Sequence, residues 1–126
     1  MGEPEAASYH GDATYQGTDL HREIHALTGV AELFKVLSDD TRSKLLYALG
    51  QRELCVREMA ELMNISLPAV SHHLRIMRQL RLVTARRAGK EVFYSLREEH
   101  VSALITAALV SARALGLVAS LEPTLV

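Results

Sequence analysis

Residues 56–80 read VREMAELMNISLPAVSHHLRIMRQL, and two helical patterns follow one another within that stretch. Val56, Met59, Ala60 and Met63 share one helical face, which predicts a short helix over 56–63 ended by Asn64, a residue that tolerates the left-handed conformation. Ser66 can cap a second helix, Pro68 sits in its first turn where no backbone N–H is missed, and Val70, Leu74, Met77 and Leu80 form its buried stripe. A short helix, a turn of about four residues (Asn64, Ile65, Ser66, Leu67) and a longer helix make a helix-turn-helix, whose second helix enters the major groove of DNA. The remaining positions suit that role. Ser71 and His72 can donate to base edges or phosphates, and Arg75 can reach a guanine or a phosphate. The first turn, with Ser66, Leu67 and Ala69, points backbone N–H groups toward phosphate.

Downstream, 82–84 (LVT) and 92–96 (VFYSL) are β-rich runs flanking Arg86-Arg87-Ala88-Gly89-Lys90, with Gly89 supplying the turn. This predicts a hairpin with a basic tip, whose Arg86, Arg87 and Lys90 lie along the DNA backbone or minor groove and set affinity more than sequence preference. The expected fold is therefore mainly α with a β-hairpin wing, a winged helix-turn-helix. Residues 101–121 are apolar almost all round, with Arg113 the only charge. That length could span a bilayer, but Arg113, Gly116 and the Ala, Ser and Thr content argue against it, and no membrane partner is expected. Packing against a second copy hides both faces, so a homodimer through the first and last helices is predicted.

Upstream, Leu20, Ile24, Leu27, Val30, Ala31, Leu33, Phe34 and Leu37 predict one helix over 19–38. Ser38 is the expected cap of the next, which carries Leu45, Leu46, Ala48 and Leu49 and stops at Gly50. Residues 1–17 mix Gly, Pro, Ser, Asp and isolated Tyr without period, a flexible arm; 18–121 form the DNA-binding and dimerisation domain, and 122–126 a tail.

Composition fits this reading. The chain has 126 residues, 48% hydrophobic and 23% charged, enough for one domain and inconsistent with collagen-like, disulfide-dense or disordered classes. With Cys55 as its one cysteine and no apolar core of signal-peptide length in the first 25 residues, a reduced, cytoplasmic setting is expected. The formal net charge of -1 conceals segregation: two basic and eight acidic side chains over 1–40, ten and three over 41–90, two and four over 91–126. A basic block of this kind is the footprint of a nucleic-acid reader, although a solvated helix face or an acidic partner produces it too. His72 and His73 could simply cap or pack, and the wing cations could simply keep an edge soluble. Nothing resembles catalytic machinery: there is no Gly-rich phosphate loop and no Gly-x-Ser-x-Gly, so no enzyme is expected.

Glu53-Leu54-Cys55-Val56, Val70-Ser71-His72-His73-Leu74-Arg75, Leu82-Val83 and Val92-Phe93-Tyr94-Ser95-Leu96 together closely resemble the ArsR/SmtB family of bacterial metal-responsive repressors, over a stretch from Leu33 to Ala108. Within it the chain looks most like the cadmium/lead and zinc repressors. The resemblance implies a homodimer that holds double-stranded operator DNA until a divalent transition metal ion releases it. Zinc fits that part first, with nickel, cobalt, manganese or cadmium open.

Two family sites can be followed onto this chain. In the first, Cys55 matches one cysteine, but the second position is Arg57 and the arm has no cysteine, offering His10, Asp12 or Glu5. Cys55, Glu58 and an arm histidine remain chemically able to hold zinc, cobalt or nickel, while a buried cysteine beside a surface glutamate is the plainer alternative. In the second, Glu98 and His100 match one pair of ligands, but the partner positions are Ser111 and Ala114. His21 and His25, at i and i+4 on one helix face, could complete a mixed site of His21, His25, Glu98 and His100; a solvated face and a capping histidine are the alternative. A third reading keeps the repressor and replaces the metal with thiol oxidation at Cys55.

Overall fold

Gly29 divides what reads as one amphipathic helix. In the computed structural model, which describes residues 17–117, α1 spans Gly17–His25 and α2 spans Val30–Leu37. Gly29 lies between them at φ +84, a conformation that no β-carbon residue adopts cheaply. The single helix expected over 19–38 is thus two. The arm expected over 1–17 and the tail over 122–126 lie outside the described residues, apart from Gly17, which opens α1.

Helix α3, Asp40–Gln51, is capped by Asp39, whose Oδ2 accepts the Arg42 N–H at 3.0 Å, and not by Ser38. The Ser38 hydroxyl instead donates back to the Lys35 carbonyl at 2.7 Å. Nor does Gly50 stop the helix. It lies inside α3 because the last helix passes so close: a Cβ there would sit 2.7 Å from Ser102 Oγ and 3.2 Å from Leu96 Cδ1.

A two-residue strand, β1 (Leu54–Cys55), precedes α4, Val56–Met63. Helix α4 ends as expected on Asn64, at φ 56 and ψ 50. Helix α5 spans Leu67–Gln79, with Val70, Leu74 and Met77 buried; Leu80, expected in the same stripe, is its exposed C-cap. Arg81 follows at φ 58, and the Leu82 N–H bonds the Met77 carbonyl at 2.9 Å, a left-handed ending that glycine more often supplies. Strands β2 (Val83–Ala88) and β3 (Glu91–Leu96) form the hairpin across Gly89 and Lys90, with Gly89 at φ +66. The sheet is antiparallel in the order β1-β3-β2, Leu54 and Cys55 pairing with Tyr94 and Phe93.

Helix α6, His100–Ala114, is shorter than the run expected over 101–121, because Gly116 at φ +74 turns the chain and the Leu117 N–H bonds the Ala112 carbonyl at 2.8 Å. Its 15 residues rise about 22 Å, less than the roughly 30 Å of a bilayer core. Among the described residues no helix is long and apolar enough to cross a membrane.

Two compact units divide after Phe34. The core belongs to the second: Leu45, Leu46, Met59, Val70 and Met77 are fully enclosed, with Leu49, Leu54, Leu74, Leu82, Val83 and Val101 around them. Each such side chain contributes about 1.5–3 kcal/mol on leaving water. This packing fixes α5 against the wing.

Candidate nucleic-acid interface

Burying Val70, Leu74 and Met77 leaves Leu67, Ser71, His72, Arg75, Arg78 and Gln79 of α5 exposed. In the first turn the Ser66 Oγ accepts the Ala69 N–H at 3.2 Å, so that N–H is already satisfied, while Leu67 and Pro68 stay open to solvent. His72 and His73 part company. His72 is exposed, whereas His73 packs toward α3, its Nδ1 lying 3.3 Å from Arg42 Nη1. A guanidinium only donates, so that nitrogen carries no proton. Burial holds the His73 pKa below its ordinary value, against the opposite pull of Asp39 at 3.9 Å. His73 therefore ties α5 to the N-terminus of α3 as a neutral acceptor.

The cations sort into two groups. Arg86 makes two bonds to Glu53, at 3.0 and 2.7 Å, and lies 5.4 Å over the Phe93 ring. Its guanidinium in turn holds the Glu53 carboxyl below the usual carboxylate range. Arg57 pairs with Glu91 at 3.1 Å, Arg52 with Glu58 at 3.7 Å and Lys44 with Asp40 at 2.8 Å. Among the described residues no carboxylate lies within 4 Å of Arg75, Arg78, Arg81, Arg87 or Lys90. Of the described residues, Lys35, Arg42, Arg97 and Arg113 lack one too, but they are scattered, whereas the other five cluster on α5, just after its C-cap and on the wing.

The hairpin corrects one expectation. Arg86 and Arg87 are in β2, not at the tip, which is Gly89-Lys90. Successive strand residues face opposite sides, so Arg86 joins Phe93 on one face and Arg87 lies on the other. Sequence reading passed over Arg78 and Arg81; Arg78 at i+3 from Arg75 and i+7 from Ser71 was the available signal.

The metal candidates form separate pairs. His21 and His25 lie on α1, in the first unit, with ring centroids 4.3 Å apart. In the second unit His100 Nδ1 contacts Glu98 Oε2, and that bond raises the His100 pKa. An imidazole and a carboxylate suit zinc, nickel, cobalt or manganese. Ser111 and Ala114 supply no histidine or carboxylate. Cys55 is withdrawn: the residue is 3% exposed, and its backbone N–H bonds Glu58 Oε1 at 2.9 Å, so cysteine and glutamate together cap α4. Among the described residues no three His, Cys, Asp or Glu side chains converge as a metal ion requires. His10, Asp12 and Glu5 lie outside the described residues.

Comparison with known proteins matches residues 39–85 to the bacterial regulatory protein family arsR. A cadmium resistance transcriptional regulatory protein, a CadC homolog of Staphylococcus aureus, is 45% identical over 85 residues, which cover 67% of this chain and 70% of that one. The chain belongs to the arsR family. A transcriptional repressor SmtB homolog of Synechocystis is 50% identical over 72 residues, 57% of this chain and 54% of its own length, so this arsR protein spans about half of that relative. A homodimeric winged helix-turn-helix DNA-binding domain from Mycobacterium bovis, described as a possible ArsR-family transcriptional regulator, is similar with TM-score 0.64 and 30% identity, over 73% of this chain and 85% of that one. The family and the winged fold read from the sequence are those found, and the Staphylococcus aureus and Synechocystis relatives are named as transcriptional regulators.

Proposed function

We propose that this arsR protein is a homodimeric transcriptional repressor that reads an inverted repeat with α5 and the wing, and releases it when a divalent transition metal ion binds. One observation carries the DNA reading: of the six cations between Arg75 and Lys90, on α5, just after its C-cap and on the wing, only Arg86 is paired with a carboxylate among the described residues, and Arg75, Arg78, Arg81, Arg87 and Lys90 are left unmatched. Fixed unpaired cations on a helix-turn-helix and its wing are what a phosphate backbone binds, with counterion release supplying the affinity. His72, Arg75 and the first turn from Ser66 to Ala69 would meet the major groove, with Arg87 and Lys90 on the adjacent backbone. Arg86, held by Glu53, would contribute to the shape of the wing. Such a repressor works in the cytoplasm.

For the effector, Glu98 with His100 and His21 with His25 are the donor pairs, and each needs further ligands. Zinc fits them best, with nickel, cobalt and manganese acceptable to the same donors; cadmium, in the name of one relative, prefers the thiolate that Cys55 keeps buried. Metal must favour the conformation with low DNA affinity, and a typical coupling of about 1–3 kcal/mol changes affinity roughly 5–150-fold. The test is binding of the purified protein to an inverted repeat from its own promoter, titrated with each of the five metals against a chelator. Release by zinc or nickel, reversed by chelator, is expected. Tight binding that no metal alters would remove the metal from the reading.

A further inference from the structure

A groove of about 540 Å3 runs between α5 and the wing, lined by Ser71, Leu74, Arg75, Arg78, Gln79 and Tyr94. Leu74 is its apolar floor, 3% exposed, and the rest of its lining carries polar atoms. Ser71, Arg75 and Arg78 stand at i, i+4 and i+7, so one stripe of α5 brings a hydroxyl and two guanidinium groups along the same side of the helix. Tyr94 of β3 adds a phenol opposite them.

No carboxylate among the described residues lines the groove, and the wing acid Glu91 and the nearby Glu53 are paired with Arg57 and Arg86. Among the described residues neither Arg75 nor Arg78 has a carboxylate within 4 Å. Two unneutralised guanidinium groups sharing one concavity with hydroxyl donors favour an anion with several acceptor oxygens, and the planar guanidinium fork fits phosphate. The cations also continue past the groove. Tyr94 pairs with Ala85, so alternation puts Arg87 on the same sheet face, and Lys90 follows in the turn. A line of cations fits a repeating polyanion better than one free ion. His72, about 100° around the helix from Ser71, lies off this stripe.

We infer that the groove seats one phosphodiester of the DNA backbone, with Arg78 and the Tyr94 hydroxyl as its principal contacts, and that base discrimination falls to His72 on the next stripe. The inference rests on the DNA-binding reading and divides its labour: the Ser71 side of α5 sets register and affinity, the His72 side sequence preference.

The test measures fluorescence anisotropy of the full chain on the inverted repeat and on a scrambled duplex of equal length, across a salt series. Arg78→Ala should weaken both duplexes alike, by about tenfold, and lower the slope of log affinity against log salt by about 0.9. Tyr94→Phe, which keeps the ring in place, should weaken both by about threefold. His72→Ala should lose preference for the repeat. Wild-type affinity and slope in both Arg78→Ala and Tyr94→Phe, with circular dichroism showing both folded, would overturn the seat and leave the DNA reading intact. A loss in Arg78→Ala confined to the repeat would overturn it too, making Arg78 a base reader. Inorganic phosphate at matched ionic strength should not compete; displacement of DNA from wild type but not from Arg78→Ala would mark a free-anion site instead. Failure of the wild type to bind either duplex would sink the DNA reading itself.

Discussion

His73 is where the interface takes its acid sensitivity. Burial lowers its pKa from 6.5, with the Arg42 and His72 charges acting in the same direction and Asp39 opposing them. In the unfolded chain the imidazole takes a proton near 6.5, while in the fold it resists until lower pH, so across that window the unfolded state binds more protons. Stability from this group is complete above 6.5 and is lost as pH falls through the folded value. His100 has the opposite sign, because Glu98 raises its pKa, but it is fully solvated and screened. Asp39, its carboxylate held low by the Arg42 N–H, keeps its charge until far more acid conditions. Thermal melts between about pH 5.5 and 7.5 should therefore show the protein losing stability toward acid. His73→Gln should flatten that dependence and, by giving up the Arg42 bond, cost about 1 kcal/mol at the upper end. An unchanged acid slope in that variant would place the sensitivity elsewhere.

At the scale of elements, a glycine inside a helix is read as a stop unless the neighbour it faces is known. Gly50 belongs to α3, and its missing side chain lets α6 approach: a Cβ would meet Ser102 Oγ at 2.7 Å and Ser102 Cβ at 3.0 Å. Helix propensity alone would make Gly50→Ala stabilising by about 1 kcal/mol, whereas the overpacking costs about 1–3 kcal/mol. The expected net is a loss of roughly 1 kcal/mol, partly recovered when Ser102→Ala removes the nearer atom. Melting of the single and double variants decides it; a more stable Gly50→Ala would show that the helices have room. The same limit explains what else was legible. Helix α4, the turn and α5 could be read because periodicity, Asn64 and Ser66 are local signals. The break at Gly29 could not, since the apolar positions stay in phase across it. Strand β1 is only two residues long and exists through its pairing with Tyr94 and Phe93. Arg86 and Arg87 look alike until the register assigns them opposite faces. Arg78 was within reach of spacing alone, and Cys55 was not, because its burial and its part in capping α4 come from tertiary packing.

For the whole molecule, the decisive question is what covers the far end of α6. Its first turns pack inward, with Val101 buried and Ser102, Leu104 and Ile105 half-buried, whereas Leu109, Val110, Leu115 and Leu117 beyond them are exposed, up to 74%. In the other unit Leu20, Ile24, Leu27 and Phe34 are exposed as well. Apolar surface repeated along a helix in this way marks an interaction face, and a symmetric second copy is the commonest way to cover one. Val110 is 60% exposed in the single chain, so Val110→Asp should leave the fold of one protomer intact while placing a carboxylate in the interface. Sedimentation should then give the mass of one chain, 13.9 kDa, in place of two. Binding to an inverted repeat should fall by about 100-fold or more, because the second half-site is no longer held at high effective concentration, while binding to an isolated half-site should be little changed. A variant that stays dimeric would move the interface to another surface. One that becomes monomeric yet grips the full repeat as tightly as the wild type would show that each chain reads its DNA alone.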